Sequence, residues 1–234
     1  MKKILVICFF WGLFTLLALS QEGVHVEEGR FVKKMENNMY AGAYNLESKG
    51  ILEKLFFGDF NAPVEFLFEP DNDREGVSGF RIVKKGSSYV LEIKLVTNYM
   101  EVEKDFIEKY SKNRGEWLKL YEEKVKRYKI STRTIPISNQ FAEQMHRRMF
   151  FCIDDFRVTK IYPPDILPLR FGGYSVTFRT VIDEAVVWSL MIWSPYGNEA
   201  RKMSDLCRQI ITDVRSDNKF DESKYIEELS PKNY

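Results

Sequence analysis

The chain is poor in the residues that build most local catalytic and cross-linking signatures. It has three cysteines and two histidines in 234 residues. Three cysteines cannot make a disulfide-stapled scaffold, and a chain of this length does not need one to bury a core. His25 and His146 stand too far apart for a helix-borne HExxH zinc pair, which excludes that chemistry. An excess of one charge is also missing. The 35 basic and 34 acidic side chains leave a formal net charge of +1. That balance excludes a strongly basic nucleic-acid binder and an acidic tail protein. A hydrophobic share of 44% and an aromatic share of 15% exclude a disordered chain.

The one long apolar run is at the start. Met1, Lys2 and Lys3 give a positive lead, Ile4 to Leu19 are almost all apolar, and Ala18-Leu19-Ser20 offers small residues at both positions of a cleavage site. The expectation is a signal peptide over residues 1–20, cut after Ser20; an uncleaved anchor is the alternative. Cleavage removes Cys8 and two lysines, so the exported chain starts at Gln21 with one more acid than base. Cys152 and Cys207 remain. Both fall on apolar faces of predicted helices, where buried free thiols are common, with a single bridge as the alternative.

Residues 21–60 show weak periodicity and read as a lead-in, ending in an apolar segment from Gly50 to Phe60 that docks on the core. Residues 61–234 read as one domain; two lobes dividing near residue 128 are the alternative. Val64, Phe66 and Phe68 alternate with charges, as a half-buried strand does. Gly79–Lys85 and Ser88–Thr97 make two more strands around a turn at Lys85-Gly86-Ser87. In the second, Tyr89, Leu91, Ile93 and Leu95 face the core while Glu92 and Lys94 look outward. Residues 100–128 switch to helical spacing, broken at Asn113-Arg114-Gly115. A strand follows to Ile137. Ser138 or Asn139 then caps a helix whose stripe is Phe141, Met145, Met149, Cys152 and Phe156. The connection from Thr159 to Gly173 has no regular pattern. A hairpin turns at Asp183-Glu184. A helix after Asn198 buries Met203, Leu206, Cys207, Ile210, Ile211 and Val214, and a short charged helix near 222–229 ends the chain. Consecutive strands joined by tight turns, with helices between strand groups, predict an α+β fold. Its antiparallel sheet should have about five to six strands, with helices packed mainly on one face.

Several segments also carry a resemblance. "APVEFLFEP", "GFRIVKKGSSYVLEIK", "ISNQFAEQM", "GYSVTFRTVIDEAVVWSL" and "KMSDLCRQIITD" resemble a group of uncharacterised secreted proteins of gut Bacteroidales-type bacteria. The resemblance runs from about Phe57 to Leu229. It implies an exported protein and brings no catalytic residues with it.

Local catalytic motifs fail on inspection. Gly173-Tyr174-Ser175-Val176-Thr177 lacks the closing glycine of a nucleophile elbow and opens a strand. Ser216-Asp217-Asn218-Lys219 overlaps two motifs that penicillin-interacting enzymes keep far apart. Cys152 and His146 are six residues apart on one helix and face different sides. Asp154 and Asp155 diverge by about 100° round the helix and do not share one gap. Asp71-Asn72-Asp73-Arg74-Glu75-Gly76 begins like a calcium loop, but its twelfth position is Ile82, which cannot close the site, so it reads as an acidic turn. No metal or other cofactor is expected.

The aromatic excess survives loss of the leader. Most of these rings fall on predicted core faces. Tyr162, Arg170 and Phe171 in the long connection, with Trp193 and Tyr196 at the hairpin's end, are the candidate binding residues. Aromatic faces on a loop suit peptides and sugars. The residues favour a non-catalytic exported module for a protein, peptide or glycan partner, with no nucleic acid, and no membrane once the leader is gone. A hydrolase with a dispersed acidic site and a cell-envelope assembly component are the alternatives.

Overall fold

The computed structural model describes residues 24–27, 30–37, 46–58, 62–71, 75–159, 173–183, 186–193, 198–216 and 220–229. The expected signal peptide lies outside them. The strands are β1 Val24–Glu27, β2 Arg30–Asn37, β3 Val64–Asp71, β4 Ser78–Lys85, β5 Ser88–Val96, β6 Ile130–Ile137, β7 Gly173–Asp183 and β8 Val186–Trp193. The helices are α1 Leu46–Phe57, α2 Tyr99–Lys112, α3 Trp117–Lys126, α4 Asn139–Thr159, α5 Asn198–Ser216 and α6 Ser223–Leu229, with a 3-10 turn at Arg114–Glu116.

All eight strands form one sheet in the order β1-β2-β8-β7-β3-β4-β5-β6. From β8 to β6 every neighbouring pair is antiparallel, as an α+β fold requires. Local turns make much of this. Gly86 takes φ +62° in the two-residue turn that pairs Lys85 with Ser88, a conformation that glycine adopts without strain. The central pairing, β3 with β7, joins Val64 to Thr180 across more than a hundred residues. β1 and β2 lie in the stretch read as a lead-in and extend the sheet, with β2 parallel to β8. Parallel pairing needs a long connection, so no hairpin signal announces it.

The helix boundaries follow their caps. The Phe141 N–H donates to Ser138 Oγ at 3.1 Å, so Ser138 caps α4. The Ser138 N–H donates in turn to Glu222, which fixes the end of the chain to the same corner. Asn113 closes α2 by donating its N–H to the Lys109 and Tyr110 carbonyls.

The larger core lies on one face. Val64, Phe66, Phe68, Phe80, Ile82, Leu91, Ile93, Val176, Phe178, Leu190 and Ile192 meet Phe141, Met145, Met149 and Cys152 of α4 and the apolar stripe of α5. Helix packing on this face is as the sequence predicts. The other face is covered too. Leu52, Phe56 and Phe57 of α1, Val102 of α2, Tyr121 and Val125 of α3, and Tyr128 build a second core over Leu67, Val77 and Val96.

That second layer corrects one expectation. Glu92 and Lys94 do stand opposite Leu91 and Ile93, but they do not look into solvent. The end of α1 lies above them: Lys94 Nζ donates to the Phe56 carbonyl, and Arg81 Nη1 donates to the Phe57 carbonyl at 2.9 Å. Two cations from the sheet therefore satisfy the carbonyls left open where α1 ends, and complement the negative end of its dipole. Gly79 makes room for this contact. A Cβ there would stand 2.5 Å from the Phe66 carbonyl oxygen and 3.3 Å from both the Phe56 and Phe57 rings. Gly79→Ala should cost about 1–3 kcal/mol of stability by overpacking, read as a lower urea midpoint. An unchanged midpoint would mean that α1 is not seated on β4 in this way.

Candidate functional site

Of the five candidate binding residues, Tyr162, Arg170, Phe171 and Tyr196 lie outside the described residues. Trp193 closes β8 opposite Ser175, and its side chain is outside the described set. Of the acidic turn, Asp71 ends β3, residues 72–74 lie outside the described residues, and Glu75 bonds Arg208 of α5 at 2.6 Å. Among the described residues no group of three His, Cys, Asp or Glu side chains is placed to hold a metal ion.

The polar centre of the molecule is on the second face, under α1. Register aligns Arg179, Glu65, Arg81 and Glu92 as one row across β7, β3, β4 and β5. The charges alternate along it. Arg81 Nε bonds Glu92 at 2.7 Å. Arg179 and Glu65 are each only 2% exposed. Arg179 Nη1 donates to Glu53 of α1 at 3.0 Å, and its Nε stands 3.3 Å from Glu65. One arginine thus meets two buried carboxylates, one from a helix and one from the sheet. Both acids are engaged by the same cation. They are not a free acid and base.

Beside this row is a small recess lined by Leu52, Leu67, Glu69, Ser175, Thr177 and Met191. It has room for about one water and none for a substrate. At its polar end, Tyr121 donates to Glu69 at 2.8 Å. Burial, then the Glu69 charge, pushes the Tyr121 phenol well up, so it stays a donor. Lys124 is buried nearby, 2.6 Å from Glu103, with its amine 4.7 Å from the Phe106 ring centre and 5.3 Å from that of Tyr121. Tyr121 with Glu69 and Lys124 with Glu103 are therefore paired with one another here.

The nucleophile candidates are likewise committed to structure. Cys152 and Cys207 are free and buried in the same core. Burial pushes the Cys152 thiol up to about 12 and the Cys207 thiol well above its ordinary value. Neither forms a thiolate near neutral pH. His146 Nε2 lies 2.7 Å from the Val181 carbonyl. A carbonyl only accepts, so Nε2 carries the proton and the ring ties α4 to the end of β7.

Next to that tie is an aromatic group that reaches the surface. Trp188 of β8 stacks on Phe150 of α4 at 5.4 Å and 12°, and Phe150 meets Phe151 edge-on at 5.7 Å. Phe151 is 50% exposed. Trp188 pairs with Thr180, close to the register shift between Val181 and Asp183. The sequence held part of this signal. Phe151 falls off the Phe141–Met145–Met149–Cys152 stripe, so its exposure was readable from periodicity. Trp188 was not, because it alternates with Leu190 and Ile192 as a core residue would.

No family matches the chain, and comparison with characterised proteins and with solved structures finds no similar one.

The buried thiols give a direct check. In the native protein at pH 8, neither Cys152 nor Cys207 should react with a thiol reagent within minutes, and both should react at once in denaturant. Rapid labelling of either in the native state would show an open core.

Proposed function

We propose that the chain is an exported, non-catalytic interaction module for a protein, peptide or glycan, using an aromatic surface at the β8 side of α4. The stacked pair Trp188–Phe150, with the half-exposed Phe151 set edge-on against it, carries this reading. Half-exposed and braced edge-on by Phe150, Phe151 presents an apolar ring to solvent. Such a face binds a ring or an apolar side chain without first being ordered. The leader-like N-terminus and the resemblance to secreted proteins support export.

The catalytic alternative finds less support. The acids that approach one another on the second face, Glu53 and Glu65, do so around Arg179. Their charge is spent on holding α1.

The test uses the exported form starting at Gln21, applied to glycan and peptide arrays beside its Phe151→Ala variant. Phe151 is exposed, so truncation should leave the fold intact. The strongest ligand should weaken about tenfold, the scale of one lost aromatic contact. Equal binding by the variant, or no binding by either protein, would contradict the reading.

A further inference from the structure

The sheet ends at β6, and its outer edge is independent of the aromatic stack. Among the described residues β5 is the only strand beside it. The pairing fixes which backbone groups of β6 are left over. The Thr97 N–H donates to the Lys129 carbonyl at 2.9 Å, while the Val96 N–H donates the other way, to the Val77 carbonyl at 2.9 Å. Along an antiparallel strand, successive residues turn their backbone groups to opposite sides. In the β5–β6 register, Ser131, Arg133, Ile135 and Ile137 therefore turn theirs towards β5. Ile130, Thr132, Thr134 and Pro136 turn theirs outward. Pro136 has no N–H, and it falls on the side where the sheet uses none. The outer edge thus carries three donors, at Ile130, Thr132 and Thr134. Ser131, Thr132, Thr134 and Pro136 are exposed, so this edge faces water.

We propose that β6 pairs with β6 of a second copy of this chain, antiparallel about a two-fold axis at Thr132, and so joins two sheets edge to edge. A strand that pairs with itself across a two-fold has its register set by the residue on the axis. With Thr132 there, Thr132 faces its own copy and Ile130 faces Thr134 of the second chain. All three outward N–H groups of each chain then meet a carbonyl. An axis at Thr134 would set Thr132 against Pro136, which cannot donate. Proline and basic side chains on an edge normally discourage pairing. In the Thr132 register, however, Pro136 lies beyond the paired stretch and only limits where pairing stops. Arg133 comes opposite Ser131 and Lys129 opposite Ile135, so no like charges stand directly opposed. Arg133 is also held within its own chain, where Nη1 donates to the Val214 carbonyl of α5. On the other face the facing side chains are Ile130, Thr132 and Thr134, all β-branched and suited to cross-strand packing. The seam is short beside the roughly 1,200 Å² of a standard interface, so the dimer forms at high concentration and parts on dilution.

The test is amide hydrogen exchange of the exported form starting at Gln21, in dilute and concentrated samples, with sedimentation measured on the same samples. In the dilute sample the amides of Ile130, Thr132 and Thr134 should exchange freely while those of Ser131, Arg133 and Ile135 are protected. When about nine-tenths of the chains are paired, the first three should slow about tenfold and sedimentation should report a dimer. Thr132→Lys sets two charges face to face at the axis on an exposed position, and should sediment as a folded monomer. Thr132→Pro removes the central outward donor and no hydrogen bond within the chain, and should do the same. The proposal is overturned if the wild type stays monomeric up to roughly 1 mM. It is equally overturned if a dimer forms without slowing those three amides, as one made through Phe151 would, or if either folded variant dimerises as the wild type does.

Discussion

Arg179 is the group on which the second half of this structure turns. It sits in the middle of the sheet, 2% exposed, with Glu65 beside it on β3 and Glu53 above it on α1. Burying three charges is expensive, and the cost is offset only if each finds its partner in good geometry. The sheet places Arg179 and Glu65 directly opposite one another. A second carboxylate reaches Arg179 from above, Glu53 of α1. That contact seats α1 on the sheet. The same helix then sets its last carbonyls on Arg81 and Lys94 and its phenylalanines over Gly79. One face of the sheet is therefore built around buried charge as well as apolar packing, and the other mainly by apolar packing.

This division accounts for the character of both faces. On the α4–α5 side, large apolar side chains interdigitate and the two thiols are held protonated by burial. On the α1–α3 side, polar groups are buried beside apolar ones and are largely spent on each other: Tyr121 on Glu69, Lys124 on Glu103, Arg81 on Glu92. Such an interior specifies one arrangement of helices. What the described surface offers outward is different in kind: a half-exposed Phe151 set edge-on against the Trp188–Phe150 stack.

The α+β class, the strands from Val64 onward and the helices on the larger core were legible in the sequence because their signals are local. Alternation at Val64, Phe66 and Phe68, the glycine at 86 and the apolar stripes of α4 and α5 each lie within one element. What was not legible is non-local. The β3–β7 pairing and the parallel β2–β8 pairing join distant segments and leave no period behind. The roof over Glu92 and Lys94 was missed for a related reason. A charged residue opposite a core face reads as exposed, and only a helix from elsewhere in the chain buries it. Of the candidate binding residues, only Trp193 falls in a described strand. The aromatic edge at Phe150, Phe151 and Trp188 was hidden because stacking between a helix and a strand has no signature in either one.

Backbone hydrogen exchange of the Glu53→Gln variant tests the organising role of Arg179 most directly. The substitution keeps the shape of the side chain and removes the charge that α1 contributes. Amides of α1 should lose protection by a large factor while those of α4 and α5 keep theirs, because only the second face depends on the Glu53–Arg179 contact. Unchanged protection in α1, or an equal loss across the whole molecule, would show that this contact does not seat the helix.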